Sequence, residues 1–346
     1  MKPAPPVTKI RLPASAISEQ RIAATQYLLK SMDPTLAAWL TAADGGDAEF
    51  VDHLWRQVLR REVEPEVRDE AVTRLREGMS RAALLPELAT SEEFDRGKIL
   101  DDAVAWAAAR RRDGERPRNL RAPAVSDERP IEIPWCLAGY AGESRVLDVG
   151  YAFAEPAYLA GLVSLGVPVT GVDLASAQVP GLASVVADIR ELPFEDGSFD
   201  LVLAISVLEH VGRDNSQYGL AAEDASPSVA RALRELRRIV SARGRLLVTV
   251  PVGAGEVLPE QVVLKPEAWV QRFEEAGFLV WEDELYELDN GGWRSVAGLS
   301  EGVRYGTRGP WASAVLCAEL RPQRFATRLR LALRDRRYRN DARRAT

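Results

Sequence analysis

Apolar residues recur at helical spacing through most of the first third of the chain. The sharpest stripe joins Phe50, Val51, Leu54, Trp55, Val58 and Leu59 within Asp47–Arg61 and turns Arg56, Arg60 and Arg61 away, with Asp47 placed to cap its start. A second helix is predicted over Pro65–Met79, where Pro65 suits a first-turn position that needs no N–H donor. A third covers Ala82–Leu88, Thr90–Phe94 reads as a cap or turn, and a further stripe in Ile99–Ala109 gathers Leu100, Val104, Trp106 and Ala107. These stripes can be buried against one another, so a helical domain is expected over residues 16–112, behind a proline-rich leader at 1–15.

Residues 113–130 are charged, proline-containing and aperiodic, and are expected to link two domains. After a short lead-in helix at Ile131–Trp135 the texture changes. Short apolar runs bounded by Gly, Pro or Asp appear at Arg145–Val149, Val169–Asp173, Ala183–Val186, Leu201–Ile205, Arg245–Pro251, Leu279–Leu285 and Ala314–Leu320. Helical stretches fall between most of them, notably Ser228–Ser241 and Lys265–Ala276. That alternation predicts a doubly wound α/β sheet over residues 131–321. A basic tail follows at 322–346.

Composition narrows the class. Of 346 residues, 46% are apolar and 28% charged, which excludes a disordered, collagen-like or disulfide-scaffold chain. Cys136 and Cys317 stand far apart with no CxxC and only two histidines in the chain, so neither a disulfide framework nor a zinc site is expected, and a reducing cytoplasm is the expected home. The apolar run Pro156–Val172 is interrupted by Gly161, Gly166 and Pro168, too short to span a bilayer. The net charge of −6 hides an asymmetry: Arg321–Thr346 holds ten arginines against two aspartates, leaving an acidic body.

The chemistry gathers where predicted strands end, since open α/β sheets bind ligands beyond the carboxyl ends of their strands. The first run ends in Asp148-Val149-Gly150-Tyr151-Ala152-Phe153-Ala154-Glu155. A Gly/Ala-rich turn lets a nucleotide-like ligand approach the backbone, or simply makes a tight connection; Asp148 can hold the turn or reach the ligand through water. The second run ends in Asp173-Leu174, where a carboxylate can accept from both hydroxyls of a ribose, or cap a helix. Asp188, with Ile189, follows the third run and suits an adenine amino group. The fourth ends in Ser206-Val207-Leu208-Glu209-His210. His210 is a candidate base because imidazole can exchange a proton under physiological conditions, with Glu209 as its orienting partner or a substrate contact; a structural role at a helix start is the plainer alternative.

Taken together, these four ordered segments resemble the class I S-adenosylmethionine-dependent methyltransferases, over about Arg145–Pro251 strongly and on to Arg321 loosely. The resemblance implies a seven-stranded, mostly parallel sheet with an antiparallel last strand. It implies S-adenosylmethionine as cofactor, with Gly150 and Ala152 on its methionine side and Tyr151 beside them. Asp173, with Leu174, would hold the ribose, Asp188 and Ile189 would frame the adenine, and Ser206 would lie near the methionine portion. The family's first motif has glycine at alternate positions, whereas Ala152 and Ala154 stand here. Alanine disfavours positive φ, so either the turn avoids those angles or cofactor binding is weakened.

Substrate contacts are expected from Tyr218 in the polar stretch Asp214–Leu220 and from Trp293 and Arg294 in Asp289–Arg294, a glycine-containing loop suited to a sugar, or a turn with Trp293 packed inward. Asp47–Phe94 is similar to an uncharacterised helical domain that accompanies bacterial surface-polysaccharide proteins, which tilts the acceptor toward a small or sugar-based molecule. The tail could meet an anionic membrane or nucleic acid, or dock as a terminal helix. The expected activity is O-methylation with no metal. Its rivals are a scaffold protein with a degenerate cofactor domain and an RNA methyltransferase; a dinucleotide oxidoreductase lacks its glycine cradle. The oligomeric state is not readable.

Overall fold

The structure is a computed structural model, and it describes residues 46–59, 62–216 and 228–323. The leader, Tyr218 and all but the first residues of the basic tail lie outside the described residues. The chain divides near residue 102 into two compact units.

In the first unit, α1 (Asp47–Val58), α2 (Pro65–Arg76) and α3 (Arg81–Ala89) bury the stripes read from the sequence. Phe50, Leu54 and Trp55 of α1 meet Val72 and Leu75 of α2 and Leu84 and Leu88 of α3 in one core. Asp47 lies in the first turn of α1 rather than capping it; the cap is Gly46, and the Asp47 carboxylate accepts from Arg81 at 2.8 Å. Ser91 does cap α4 (Glu92–Arg112), its Oγ accepting from the Phe94 N–H at 3.1 Å. In α4 Leu100, Val104 and Ala107 are buried, but Trp106 is 41% exposed, one position off the buried face.

The second unit is built on β1 (Val146–Val149), β2 (Val169–Asp173), β3 (Leu182–Val186), β4 (Phe199–Ile205), β5 (Val240–Pro251), β8 (Phe278–Asp289), β9 (Gly292–Val296) and β10 (Ala314–Pro322). Their order is β3-β2-β1-β4-β5-β10-β8-β9, an eight-stranded sheet. β3, β2, β1, β4 and β5 pair in parallel, and β10 runs antiparallel between β5 and β8. The strand beyond the expected seven is β9. Asp289–Gly292 reads as a break, and the Trp293–Val296 that follows is too short and polar to announce a strand. A separate ribbon pairs β6 (Glu256–Val257) with β7 (Val262–Val263).

The parallel strands are Val/Leu-rich because helices cover the sheet. α7 (Ser228–Ile239) and α8 (Pro266–Glu275) bring Leu233, Leu236, Trp269 and Phe273 onto Leu147, Val202 and Leu246. α5 (Arg129–Ala138) is buried from Pro130 to Ala138, and α6 (Pro156–Val163) follows the first turn. Residues 113–130, expected as a linker, lie on the sheet of this unit. Asn119 N–H donates to Glu284 at 3.0 Å, and Ala122 bridges Trp293. Among the described residues no helix is long and apolar enough to cross a membrane.

Candidate active site

Strand order reverses between β1 and β4, since β1 connects to β2 on one side while the chain returns to β4 on the other. Connections leave in opposite directions there, opening a crevice at the strands' carboxyl ends. A cleft lies at that point, lined by Gly150, Asp173, Leu174, Asp188, Ser206 and His210 among others. The four segments singled out by sequence therefore converge on one cavity.

Gly150 takes φ 86°, and a Cβ there would stand 2.5 Å from Val207 Cγ2. Both the angle and the space require glycine. The alanines face no such demand. Residues 151–153 form a short 3-10 helix, Ala154 has φ −74°, and neither alanine has positive φ. Ala152 is used through its backbone instead, its N–H donating to Asp173 at 3.0 Å, while the Ala175 N–H reaches the other carboxylate oxygen at 3.2 Å. Asp173 is thus fixed by two amides and still borders the cleft.

Asp188 accepts from the Arg190 backbone N–H at 2.7 Å and from its guanidinium. Burial raises its pKa, but these bonds outweigh it and hold Asp188 below its ordinary value. Ile189 lines the same side.

Three expected cofactor contacts play other parts. Asp148 is buried inside β1, where the Tyr158 hydroxyl donates to one oxygen and the other has no hydrogen-bond partner among the described residues. Burial pushes it up to about 8, which favours the neutral acid at pH 7. Tyr151 is also buried; its ring lies where a side chain on Gly171 would stand, and its hydroxyl bonds the backbone of Ala177. Ala152 contributes the amide just described. None of the three is among the residues that line the cleft.

On the β4 side, Ser206 has φ 48°, a left-handed conformation rare outside glycine. Its N–H donates to Thr249 O at 3.1 Å, and its hydroxyl donates to Glu132 at 2.8 Å. His210 Nδ1 lies 2.6 Å from Glu260 O. A carbonyl only accepts, so Nδ1 carries the proton and Nε2 is the basic nitrogen of the neutral ring. Glu209 is buried, with Oε1 3.9 Å from that Nε2, and does not itself line the cleft.

The expected substrate loop is a correction. Asp289–Gly292 is the turn of the β8–β9 hairpin, Trp293 is 1% exposed with its indole N–H donating to Ser126 O at 3.1 Å, and Arg294 pairs with Asp289 at 2.6 Å. Neither residue borders the cleft. Conversely, Glu128, Arg129 and Glu132 of the α5 region do border it and were missed. One signal was available: Glu132 interrupts Ile131–Ala138, an otherwise uncharged apolar run.

The fold is of the class I methyltransferase type, and its cleft combines parallel strands, a glycine turn after β1 and a carboxylate after β2. Residues 147–248 match the family described as "Methyltransferase domain". Over 110 residues the chain is 33% identical to an uncharacterised protein of Methanocaldococcus jannaschii, covering 30% of this chain and 41% of that one. Over 116 residues it is 32% identical to a candidate methyltransferase of Encephalitozoon cuniculi, covering 32% and 47%. The chain spans less than half the length of these curated relatives. A Burkholderia thailandensis 1,6-didemethyltoxoflavin-N1-methyltransferase structure with bound S-adenosylhomocysteine aligns at TM-score 0.40 and 13% identity, over 66% of this chain and 88% of that one. The match to a methyltransferase-domain family thus covers residues 147–248, less than a third of the chain.

Proposed function

We propose that the protein transfers a methyl group from S-adenosylmethionine to an oxygen of a small or sugar-based acceptor. The carrying observation is the convergence of Gly150, Asp173, Asp188 and Ser206 on the cleft at the sheet's switch point. The cofactor, when bound, supplies an activated methyl group, so the chain's tasks are to position, exclude water and accept a proton. Gly150 admits the ligand to the backbone, and Asp173, held by two amides, accepts from ribose hydroxyls. A hydroxyl acceptor must lose a proton, and His210 offers Nε2 for it because Glu260 O holds the proton on Nδ1. The sugar acceptor rests on the sequence resemblance of Asp47–Phe94 alone, which the comparisons do not extend, and Trp293 does not add to it. The degenerate-scaffold reading depended on alanines closing the turn, and neither alanine adopts the angle that would do so.

Asp173→Ala tests the site. Titration calorimetry with S-adenosylmethionine and S-adenosylhomocysteine should show affinity falling about 10- to 100-fold, the loss expected for hydrogen bonds to a charged group. Wild-type affinity in the variant would overturn the assignment.

A further inference from the structure

Helix α5 precedes the matched segment 147–248, yet its region puts Glu128, Arg129 and Glu132 on the cleft wall. Glu132 is 1% exposed, in a helix whose neighbouring side chains are Ile131, Ile133, Pro134 and Trp135. Its two oxygens lie 2.8 and 3.0 Å from the Ser206 hydroxyl, and Thr249 of β5 also bonds it. Among the described residues Glu132 makes no ion pair within 4.0 Å. Ser206, which makes this contact, also has a left-handed backbone, and such strain gathers at functional sites.

The cleft is polarised. Asp173 and Asp188, which suit a nucleoside, follow β2 and β3. Ser206 follows β4, across Gly150, and Glu132 meets it from α5. The other end of an S-adenosylmethionine-type cofactor is an α-amino acid zwitterion. Arg129 and Glu132 stand three positions apart on one helix, so they share a face and offer a cation beside an acid that can ionise. The Arg129 guanidinium pairs with Asp127 at 2.9 Å and lies 3.5 Å from Glu155, which leaves donors of its five for a further carboxylate.

We propose that α5 is the amino-acid clamp of this cleft, with Glu132 receiving the cofactor's α-ammonium and Arg129 its α-carboxylate. The clamp rests on the cofactor reading above. It carries a proton signature. The groups facing Glu132 are Glu128 and Arg129 at the start of α5, Cys136 one turn on, Cys317 of β10, and the hydroxyls of Ser206 and Thr249. Burial first, then Glu128, raise Glu132 to about 8, so at pH 7 it is mostly protonated. An arriving ammonium favours the carboxylate, and the proton passes to the buffer.

The experiment is calorimetry on the full chain at pH 7 in two buffers of different ionisation enthalpy. The probes are S-adenosylhomocysteine and 5′-methylthioadenosine, the latter a nucleoside half without the amino acid. Wild type should bind both and release close to one proton with S-adenosylhomocysteine only. Glu132→Gln, which keeps shape and removes the charge, should lose about 10- to 100-fold for S-adenosylhomocysteine, leave methylthioadenosine unchanged and release no proton. Equal losses for both probes, no loss, or proton release persisting in the variant would each overturn the Glu132 assignment. Wild-type affinity in Arg129→Met would remove Arg129 from the clamp. If wild type bound neither probe, the cofactor reading itself would fall.

Discussion

Two turns in the same sheet, Gly150–Ala154 after β1 and Asp289–Gly292 after β8, have similar credentials. Each follows a strand, contains glycine at positive φ, and neighbours an aspartate. One opens onto the cleft and the other closes on itself. At Gly150 the missing Cβ leaves room beside Val207, in a crevice between parallel strands whose connections diverge. At Gly292 a Cβ would stand 2.3 Å from Ala122 O, so the glycine serves to let residues 113–130 approach. Antiparallel hairpins leave no crevice, because the chain returns immediately beside itself. Place in the topology decides which glycine turn binds a ligand, and composition alone does not.

The largest way to sharpen this contrast is Trp293→Ala. The side chain is buried and hydrogen-bonded, so the variant should lose about 3–5 kcal/mol of stability in denaturant unfolding. Its affinity for S-adenosylhomocysteine, measured where the variant is folded, should equal that of wild type. Asp173→Ala should do the reverse. A Trp293 variant that folded normally and lost ligand would return the hairpin to the binding site.

The aspartates beside the two turns differ in the same sense. Asp289 is held below its ordinary value, first by the Arg294 hydrogen bond and then by the Gly291 amide, whereas burial lifts Asp148 to about 8. An acid whose folded pKa exceeds its unfolded value of about 3.9 binds more protons when folded. Its stabilising contribution is therefore complete below about pH 4 and is lost as pH rises toward 8. Over that window part of the fall in wild-type stability with pH should come from Asp148. Asp148→Asn, whose amide imitates the neutral acid, should remove that share. Unfolding followed from pH 5 to 8 checks it, and an unchanged slope would mean that Asp148 is ionised in the folded chain.

Much of this was legible in the sequence. Strand runs such as Leu201–Ile205 carry their own signal, since a strand buried on both faces must be apolar throughout. Gly150, Asp173, Asp188 and Ser206 were found because they end such runs, and strand ends are where this topology leaves space. Trp293 stayed ambiguous because its burial depends on Ala122 and Ser126, more than 160 positions earlier, and no local pattern encodes that meeting. Glu132 depends on a distant meeting in the same way. It sits in a helix outside every strand end, and its meaning appears only when Ser206 is folded against it.

The smallest expected effect belongs to Arg294, and it separates the hairpin from the cleft most cleanly because it perturbs nothing else. Its guanidinium is half exposed and meets Asp289 at the surface, where an ion pair gains little over hydration and is screened by salt. Arg294→Ala should therefore leave the melting temperature unchanged at physiological salt and leave S-adenosylhomocysteine affinity unchanged. The same should hold for an acceptor once one is found, since Arg294 does not border the cleft. Low salt is the sensitive condition, because the pair is least screened there. A small fall in melting temperature at low salt that vanishes as salt is added fits a surface ion pair. A loss of acceptor affinity at every salt concentration would instead mean that the hairpin reaches the bound acceptor, and the contrast between the two turns would fail.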